Sequence, residues 1–187
     1  MTVRVYKSTD AGAPVFNQVA GGVIAVLGAC LVGTGGFAYG TTPSSGWTRE
    51  FSATNKAVYR APAGNRFYLD VDDTPTGGAA GALIRGYESM TAVGTGFNAF
   101  PTAAQVAIGS GLGIPRSLDS YSRYWVLVAT DKFFHFWSSA YSADDGRSYG
   151  AYTAFGDIQS FRTGDAFHTV INSCTVQYAG NGVNATT

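Results

Sequence analysis

Charged residues are scarce in this 187-residue chain, and the two signs balance. Lysine, arginine, aspartate and glutamate make up 13% of the sequence, whereas roughly 25% is usual in soluble domains. Twelve basic and twelve acidic residues give a formal net charge of zero. Nucleic-acid-binding proteins and proteins that bind anionic membranes carry an excess of positive charge. We therefore expect neither nucleic acid nor a membrane among the partners.

Cysteine is also scarce, with Cys30 and Cys174 as the two examples. Two cysteines over this length do not form a disulfide framework. Cys30 lies in an apolar run and Cys174 in a β-type run, so both are predicted to be small buried hydrophobic residues.

Long hydrophobic segments are missing as well. The opening MTVRVYKSTD lacks the basic and apolar regions of a secretory signal. The longest apolar run, Val19–Val32, would reach about 21 Å as a helix, whereas the hydrocarbon core of a bilayer is about 30 Å thick. We interpret this run as part of a core helix.

Glycine and aromatic residues, by contrast, are abundant. The chain has 25 glycines, 3 tryptophans, 11 tyrosines and 12 phenylalanines. This aromatic content argues against global disorder, and a chain of this length buries roughly 70% of its surface on folding. We therefore expect a single domain over residues 1–187.

The apolar periodicity predicts one helix followed by strands. The helix covers about Phe16–Leu31, is apolar on all sides, and ends at the glycines of Gly33–Gly36. Alternating runs predict the strands, and Tyr124–Ala129 is expected to be a central strand that is buried on both faces. The predicted fold class is mainly β (α+β), an antiparallel, sandwich-like sheet domain with the N-terminal apolar helix packed on it. The strand predictions are Val3–Val5, Trp47–Ala53, Lys56–Arg60, Arg66–Val71, Ala82–Met90, Tyr124–Ala129, Phe133–Trp137, Tyr149–Phe155 and Thr169–Val176.

Two segments show no clear pattern. Thr91–Leu118 contains GTG, GSGLG and two prolines, and it is predicted to be a long loop of the kind that is usually functional or held by a partner. Ala179–Thr187 is small and polar and is expected to fray unless a neighbour holds it.

The two histidines form no recognised motif. His135 lies in the run FFHFW, on the strand face opposite Phe134 and Phe136. We interpret His135 and His168 as ordinary strand histidines, with metal binding or general-base chemistry as the alternative.

Acidic residues cluster at Asp70, Asp72 and Asp73 and again at Asp144-Asp145. The first cluster has the D-x-D of a calcium loop but lacks the glycine and glutamate that complete an EF-hand. A plain turn is the preferred interpretation, and calcium binding is the alternative. The sequence Asp144-Asp145-Gly146 is typical of a hairpin turn.

Signals for an enzyme are weak throughout. Glu50 and Glu88 are the only glutamates, and nothing in the sequence pairs them at the separation that two-carboxylate catalysis needs. The glycines of Gly109–Gly113 do not lie between a clear strand and a helix, so a phosphate loop is not predicted. We expect no catalytic residue, no cofactor and no resident metal.

Aromatic residues are the strongest functional signal. Tyrosine and tryptophan are favoured at protein interfaces and in sugar-binding clefts, because each combines an apolar body with a polar tip. The candidate interface or glycan-contact residues are Trp47, Tyr121, Tyr124, Trp137, Tyr149 and Tyr152.

Several blocks, taken in order, resemble a family of virion-associated proteins of tailed bacteriophages and their prophages. These blocks are MTVRVYKSTDAGAPV with an apolar helix ending in ACLV, GWTREFSATNKAVYRA, GNRFYLDVDD, IRGYESMTAVGTGFNAFPTAAQ, RYWVLVATDKFFHFW and FGDIQSFRTGDAFHTVI. The resemblance covers about Met1–Ile171, and the combination of blocks carries it rather than any single block.

The resemblance implies a non-enzymatic structural component of a tailed-phage virion and supplies no catalytic residues. Capsid decoration is the expected role, and a neck, tail or baseplate component or a carbohydrate- or receptor-binding module at the tail tip is the alternative. The expected partners are capsid or tail proteins and copies of the chain itself. The expected location is the virion, which is assembled in the cytoplasm of the host bacterium.

Overall fold

The structure, a computed structural model, describes residues 2–33, 42–74, 81–106, 111–116, 120–139, 150–159, 161–162, 167–176 and 185–186. Within these ranges the chain forms one short helix and twelve strands. Helix α1 spans Gly22–Leu27 and continues as a π-helical segment, Gly28–Val32. The strands are β1 (Arg4–Lys7), β2 (Thr48–Ala53), β3 (Lys56–Arg60), β4 (Tyr68–Asp72), β5 (Gly81–Ala92), β6 (Thr95–Phe100), β7 (Leu112–Pro115), β8 (Trp125–Ala129), β9 (Phe133–Ser139), β10 (Gly150–Gln159), β11 (Phe167–Val176) and β12 (Ala185–Thr186).

The strands form two antiparallel sheets, which confirms the predicted mainly β, sandwich-like class. Sheet 1 has the order β1-β8-β9-β10-β11-β12. Sheet 2 has the order β2-β3-β4-β5-β6, and β7 pairs with the first part of β5. Because strand side chains alternate between faces, each sheet turns one apolar face inward. The largest buried side chains of the inner faces are Trp125, Tyr6, Phe134, Phe136 and Phe155 from sheet 1 and Tyr59, Leu69 and Ile84 from sheet 2.

The helix lies in the common core and is shorter at its start than predicted. It begins at Gly22 rather than near Phe16, because Gly21 has a φ of 92° and the Asn17 side chain accepts a hydrogen bond from the backbone N–H of Val19. Both features belong to turns rather than to helices. The predicted end is confirmed, since Gly33 closes the π-helical segment with a φ of 77°.

Backbone carbonyls of the helix and of the π-helical segment are tied by hydrogen bonds to sheet 2. The Tyr59 hydroxyl of β3 donates to the carbonyl of Ile24 (3.1 Å), and the backbone N–H of Trp47 donates to the carbonyl of Leu31 (3.0 Å). Cys30 is a buried free thiol, as predicted, and burial raises its pKa. The side chain of Cys174 lies outside the described residues.

A buried carboxylate joins the start of the helix to the end of sheet 2 at which β4 and β7 finish. Asp73 directly follows β4, and its Oδ2 accepts the backbone N–H of Val23 at 2.8 Å and that of Ile24 at 3.4 Å. Its Oδ1 lies 3.3 Å from Nε of Arg116, the residue after β7, and both side chains are fully buried. Asp73 therefore belongs to the structural core, a role that its interpretation as part of a plain turn did not include.

A second buried carboxylate, that of Asp157, joins the two sheets by hydrogen bonds. Asp157 of β10 accepts hydrogen bonds from the backbone N–H of Asn65, in the turn between β3 and β4, and from the Thr169 hydroxyl (2.5 Å). Gly64 has a φ of 80°, and a side chain there would collide with the Asp157 carboxylate. The turn of sheet 2 is thereby held against sheet 1.

The prediction of a long loop over Thr91–Leu118 is wrong. The segment includes the end of β5, all of β6 and all of β7, while residues 107–110 and 117–119 lie outside the described ones. Glycine obscures the strand pattern here. At Gly111 a Cβ would stand 2.7 Å from the carbonyl oxygen of Ile84, so this close approach of β7 to β5 requires glycine.

Two further predictions, for the central strand and for the C-terminal tail, differ slightly from the structure. The strand predicted at Tyr124–Ala129 begins one residue later, at Trp125, and its outward residues Val126 and Val128 are half-buried, so the expected burial on both faces is only partly met. In the tail, Ala185 and Thr186 form β12 against β11, and residues 177–184 and 187 lie outside the described ones.

We predict that Asp73→Ala lowers the free energy of unfolding by about 3–5 kcal/mol, because it leaves the buried Arg116 guanidinium without its counter-charge. The matched control is Asp72→Ala, which removes a partly exposed ion pair with Lys56 and should change stability by about 1 kcal/mol or less. Urea unfolding followed by circular dichroism measures both. Equal losses in the two variants would contradict the structural role of Asp73.

We also predict a pH dependence that belongs to Asp73. Burial raises its pKa from 3.8 to about 6, and the Arg116 guanidinium and the helix N–H groups offset this only in part. The folded state therefore binds a proton more tightly than the unfolded state, so this contribution to stability is fully present below pH 4 and is lost as the pH rises through 6. Between pH 4 and 7 the free energy of unfolding of the wild type should therefore fall more steeply with rising pH than that of Asp73→Asn, which has no carboxyl group at this position. The same dependence of the unfolding free energy on pH in the two proteins would contradict a raised pKa of Asp73.

Candidate interaction surface

The outward face of sheet 1 carries a continuous apolar and aromatic surface. Cross-strand pairs place Val5 of β1 beside Val128 of β8, Val128 beside His135 of β9, and Trp137 of β9 beside Tyr152 of β10. We call this surface the aromatic face; its members are Val5, Tyr124, Val126, Val128, Phe133, His135, Trp137, Tyr152 and Ile158.

Three rings at the centre of the aromatic face form a stack. The ring centroids of His135 and Trp137 lie 5.6 Å apart with their planes at 22°, and those of His135 and Tyr152 lie 5.7 Å apart at 24°. Trp137 and Tyr152 complete the group at 5.2 Å, with their planes tilted by 46°, so the two stacked pairs both include His135. A hydrogen bond of 2.5 Å joins Nδ1 of His135 to the Tyr152 hydroxyl. Near-parallel rings at these distances are offset-stacked, so they hold one another in fixed orientations.

The aromatic face is close to electrically neutral. Burial lowers the pKa of His135 below its ordinary value of 6.5, so the imidazole is uncharged at neutral pH. By strand alternation, Lys7 is the one formally charged side chain that the described part of the chain places on this face. A neutral surface with aromatic residues at its centre has the composition of the core of a protein interface.

Large parts of these side chains are open to solvent. Tyr124 is 72% exposed and Trp137 is 43% exposed, and Val5 and Ile158 of the same face are also exposed. Scattered apolar residues on a surface are ordinary, but a contiguous apolar patch marks an interaction site.

The outward face of sheet 2 is different in kind. Its described strands place five charged side chains there, namely Lys56, Arg60, Asp70, Asp72 and Arg85. Lys56 and Asp72 form an ion pair at 2.6 Å, and the Arg60 guanidinium lies over the Tyr68 ring. Val58, Tyr87 and Met90 form a small apolar cluster of their own on this sheet. The outward face of sheet 2 therefore combines charged side chains with a small apolar cluster and the exposed Phe97, whereas that of sheet 1 is almost free of charge among the described residues.

The structure brings together three of the six aromatic residues predicted to form a contact surface. Tyr124, Trp137 and Tyr152 lie on the aromatic face. Tyr121 is exposed in the segment that leads into β8. Tyr149 lies outside the described residues.

The prediction for Trp47 is wrong. Its side chain is 2% exposed, its indole N–H donates to the carbonyl of Thr130 at 2.8 Å, and its ring meets that of Phe134 edge-on. It precedes β2 and packs into the core between the sheets, because its polar tip finds a buried partner there.

Sequence reasoning missed the aliphatic part of the surface. Val5 was assigned to a short strand, and Val126 and Val128 to a strand expected to be buried on both faces. The continuous apolar run of β8 contained the relevant signal, since a strand at the surface of a sandwich needs polar residues only where its outer face meets water.

The acidic cluster does not converge on one point. Asp70 and Asp72 lie on the outward face of β4, whereas Asp73 is buried with Arg116. Burial raises the pKa of Asp70, while the ammonium of Lys56 and hydrogen bonds from Thr74 keep that of Asp72 below its usual range despite some burial. Among the residues that the structure describes, no three potential metal ligands come together. Asp144 and Asp145 lie outside them.

The two glutamates lie apart from the aromatic face, whereas His168 is paired with Ile158 and lies on the same side of sheet 1. Glu50 accepts a hydrogen bond from the Thr48 hydroxyl, and Glu88 accepts one from Nδ2 of Asn98. His168 is exposed on β11. None of the described helices is long and apolar enough to span a membrane.

We predict that His135 titrates below 6.5 in the folded protein and returns to its ordinary pKa when the chain unfolds, because burial disfavours the imidazolium. Its contribution to stability is therefore complete above pH 6.5 and is lost as the pH falls from that value through the lower pKa of the folded state. Nuclear magnetic resonance titration of the imidazole in native buffer and in urea measures the two midpoints. A folded midpoint at or above the unfolded one would contradict the arrangement.

Comparison with models of protein families, with curated proteins and with solved structures finds no match to this chain.

Proposed function

We propose that the protein is a non-enzymatic structural component of a tailed-phage virion, which docks through the aromatic face onto a neighbouring protein of the particle. The observation that carries the docking role is the contrast between the outward faces of the two sheets. One is charged, and the other is neutral, apolar and exposed. The assignment to a phage particle is supported by the resemblance of the sequence blocks over Met1–Ile171.

The aromatic face is well suited to contacts that depend on complementary shape rather than on pairs of charges. Its residues lie on paired strands, and the central rings of His135, Trp137 and Tyr152 are fixed by stacking. Side chains that are already ordered lose little conformational entropy on binding. In a symmetric particle many copies of such a contact act together, so each one need only be weak.

Within the particle, capsid decoration is the role that we favour. A small β domain with a formal net charge of zero can cover a protein lattice without long-range repulsion between its copies. A position in the neck, tail or baseplate is the alternative. The number of copies per particle separates the two, because a capsid lattice binds hundreds of copies and a neck or baseplate ring binds about six or twelve.

A carbohydrate-binding module at a tail tip is the second candidate, and the exposed Trp137 is the observation in its favour. The stacking of His135, Trp137 and Tyr152 weighs against it, since part of each ring face is covered by its neighbour rather than open to a sugar. Binding on a glycan array that Trp137→Ala abolishes would favour this candidate over the structural one.

We predict that Trp137→Ser reduces incorporation of the protein into particles at least tenfold while leaving the fold intact, because Trp137 is a surface residue at the centre of the aromatic face. The matched control is Phe97→Ser, which removes an aromatic side chain that is 66% exposed on sheet 2 and should not change incorporation. Quantitative mass spectrometry of purified particles measures both variants in a complementation experiment. Normal incorporation of Trp137→Ser would exclude docking through this face.

A further inference from the structure

A histidine lies near the centre of the aromatic face. His135 is in β9, which has β1 and β8 on one side of it and β10, β11 and β12 on the other. Its register partners are Val128 of β8 and Ala154 of β10, and its side chain is half-buried. A partner that covers the aromatic face therefore covers this imidazole as well.

The described strands of sheet 1 place no carboxylate beside His135. Asp157, the one acid of these strands, lies on the inner side, where it accepts hydrogen bonds from Asn65 and Thr169. The outward neighbours of the imidazole on its own and adjacent strands are uncharged, namely Phe133, Trp137, Val126, Val128, Tyr152, Ala154 and Gly156.

The charged and titratable groups beyond these neighbours lie at the rim. Lys7 of β1 and His168 of β11 are each two strands away from His135, which is about 10 Å. Asp131 and Lys132 lie in the turn between β8 and β9, and their charges are of opposite sign. An imidazolium at His135 would therefore have no adjacent counter-charge among the described residues.

The charge of a histidine depends on pH in the range just below neutrality. The ordinary pKa of the imidazole is about 6.5, so mild acid converts a neutral ring into a cation. Water reaches part of the His135 ring on the uncovered face. An apolar partner would remove this water, and burying a cation without a counter-charge is unfavourable. Burial within the free protein already lowers the pKa of His135, and a partner would act in the same direction.

The hydrogen bond between His135 and Tyr152 also distinguishes the two protonation states. Nδ1 of His135 lies 2.5 Å from the tyrosine hydroxyl, and the two rings are stacked at 24°. In the neutral tautomer with its proton on Nε2, Nδ1 accepts this bond from the tyrosine O–H. Protonation makes both ring nitrogens donors, so the hydroxyl must then accept the bond and its own proton loses this partner.

We propose that His135 makes docking through the aromatic face dependent on pH, because the neutral imidazole permits docking and its protonation in mild acid favours release. This inference concerns the regulation of the docking surface and rests on the proposed function for the assignment of that surface. Because the neutral form is the one that docks, the affinity falls by up to about tenfold for each pH unit below the pKa of the uncovered ring.

Retention of the purified protein on a neutral phenyl-derivatised resin, at pH 7.5 and at pH 4.5, tests the dependence without any partner protein. The resin is an uncharged probe of exposed apolar surface. We expect the retention of the wild type to fall about threefold or more at pH 4.5. Neutralisation of carboxylates in acid would have the opposite effect on retention, because it makes a surface less polar. Circular dichroism at both pH values establishes that the protein is folded.

The variants are compared by the ratio of their retention at the two pH values. His135→Phe and His135→Gln are uncharged at both, so the fall should disappear, and two replacements guard against one that disturbs the fold. The matched control, His168→Gln, removes the other histidine on this side of sheet 1 and should respond to pH as the wild type does. Retention of the wild type that does not fall, a fall that persists in both His135 variants, or one that His168→Gln abolishes would overturn the proposal.

Release from purified particles separates this inference from the proposed function. Mass spectrometry of the pelleted and free fractions should find the wild type bound at pH 7.5 and released at pH 4.5, and His135→Phe released about threefold less at pH 4.5. Equal binding of the wild type at both pH values would contradict the pH dependence and leave docking intact. A fall in resin retention that depends on His135, in a chain that never enters particles, would support the titrating surface and contradict the virion role.

Discussion

The constraint that organises this protein is that a two-sheet sandwich can bury only one face of each sheet. The inner faces are covered by each other and by the short helix between them, with Trp125, Phe136 and Tyr59 among the fully buried side chains. Each outer face must then meet water or a partner. Sheet 2 meets water with the ion pair of Lys56 and Asp72 and with guanidinium groups over aromatic rings. Sheet 1 presents valine, tyrosine and tryptophan instead, and this difference is the physical basis of the functional assignment.

Buried carboxylates hold several elements of the sandwich in fixed positions relative to one another. Asp73 links the end of β4 to the start of α1 and to Arg116 after β7. Asp157 links β10 to the turn around Asn65. Each acid is buried, and each is surrounded by donors from elements that are distant in the sequence. Such groups specify one arrangement of the core, because any other arrangement leaves a charge without partners.

The local sequence pattern predicted most of the strands. The features that it missed either lack a clear pattern or depend on contacts between distant parts of the chain. Lys56–Arg60 matches β3 at both ends, and the alternation of FFHFW placed His135 on the face opposite Phe134 and Phe136, as the structure confirms. The exposed strand β6 and the glycine-rich β7 lack alternation, so they resembled a loop. The start of the helix depends on the turn at Asn17 and Gly21, which apolar periodicity does not reveal.

For the candidate surface, residue type predicts Tyr124, Trp137 and Tyr152. Val5 could not be joined to them, because its pairing with Val128 is a tertiary contact across most of the chain.

The central claim is that the aromatic face is covered when the protein is in its working assembly. Carbene footprinting with mass spectrometry, applied to the isolated chain and to the chain within purified particles, tests this directly. The account predicts that Val5, Tyr124 and Trp137 are labelled in the dilute isolated chain and protected in the assembly, while Phe97 is labelled in both. Continued labelling of Tyr124 and Trp137 in the assembly, with protection appearing on sheet 2 instead, would contradict it.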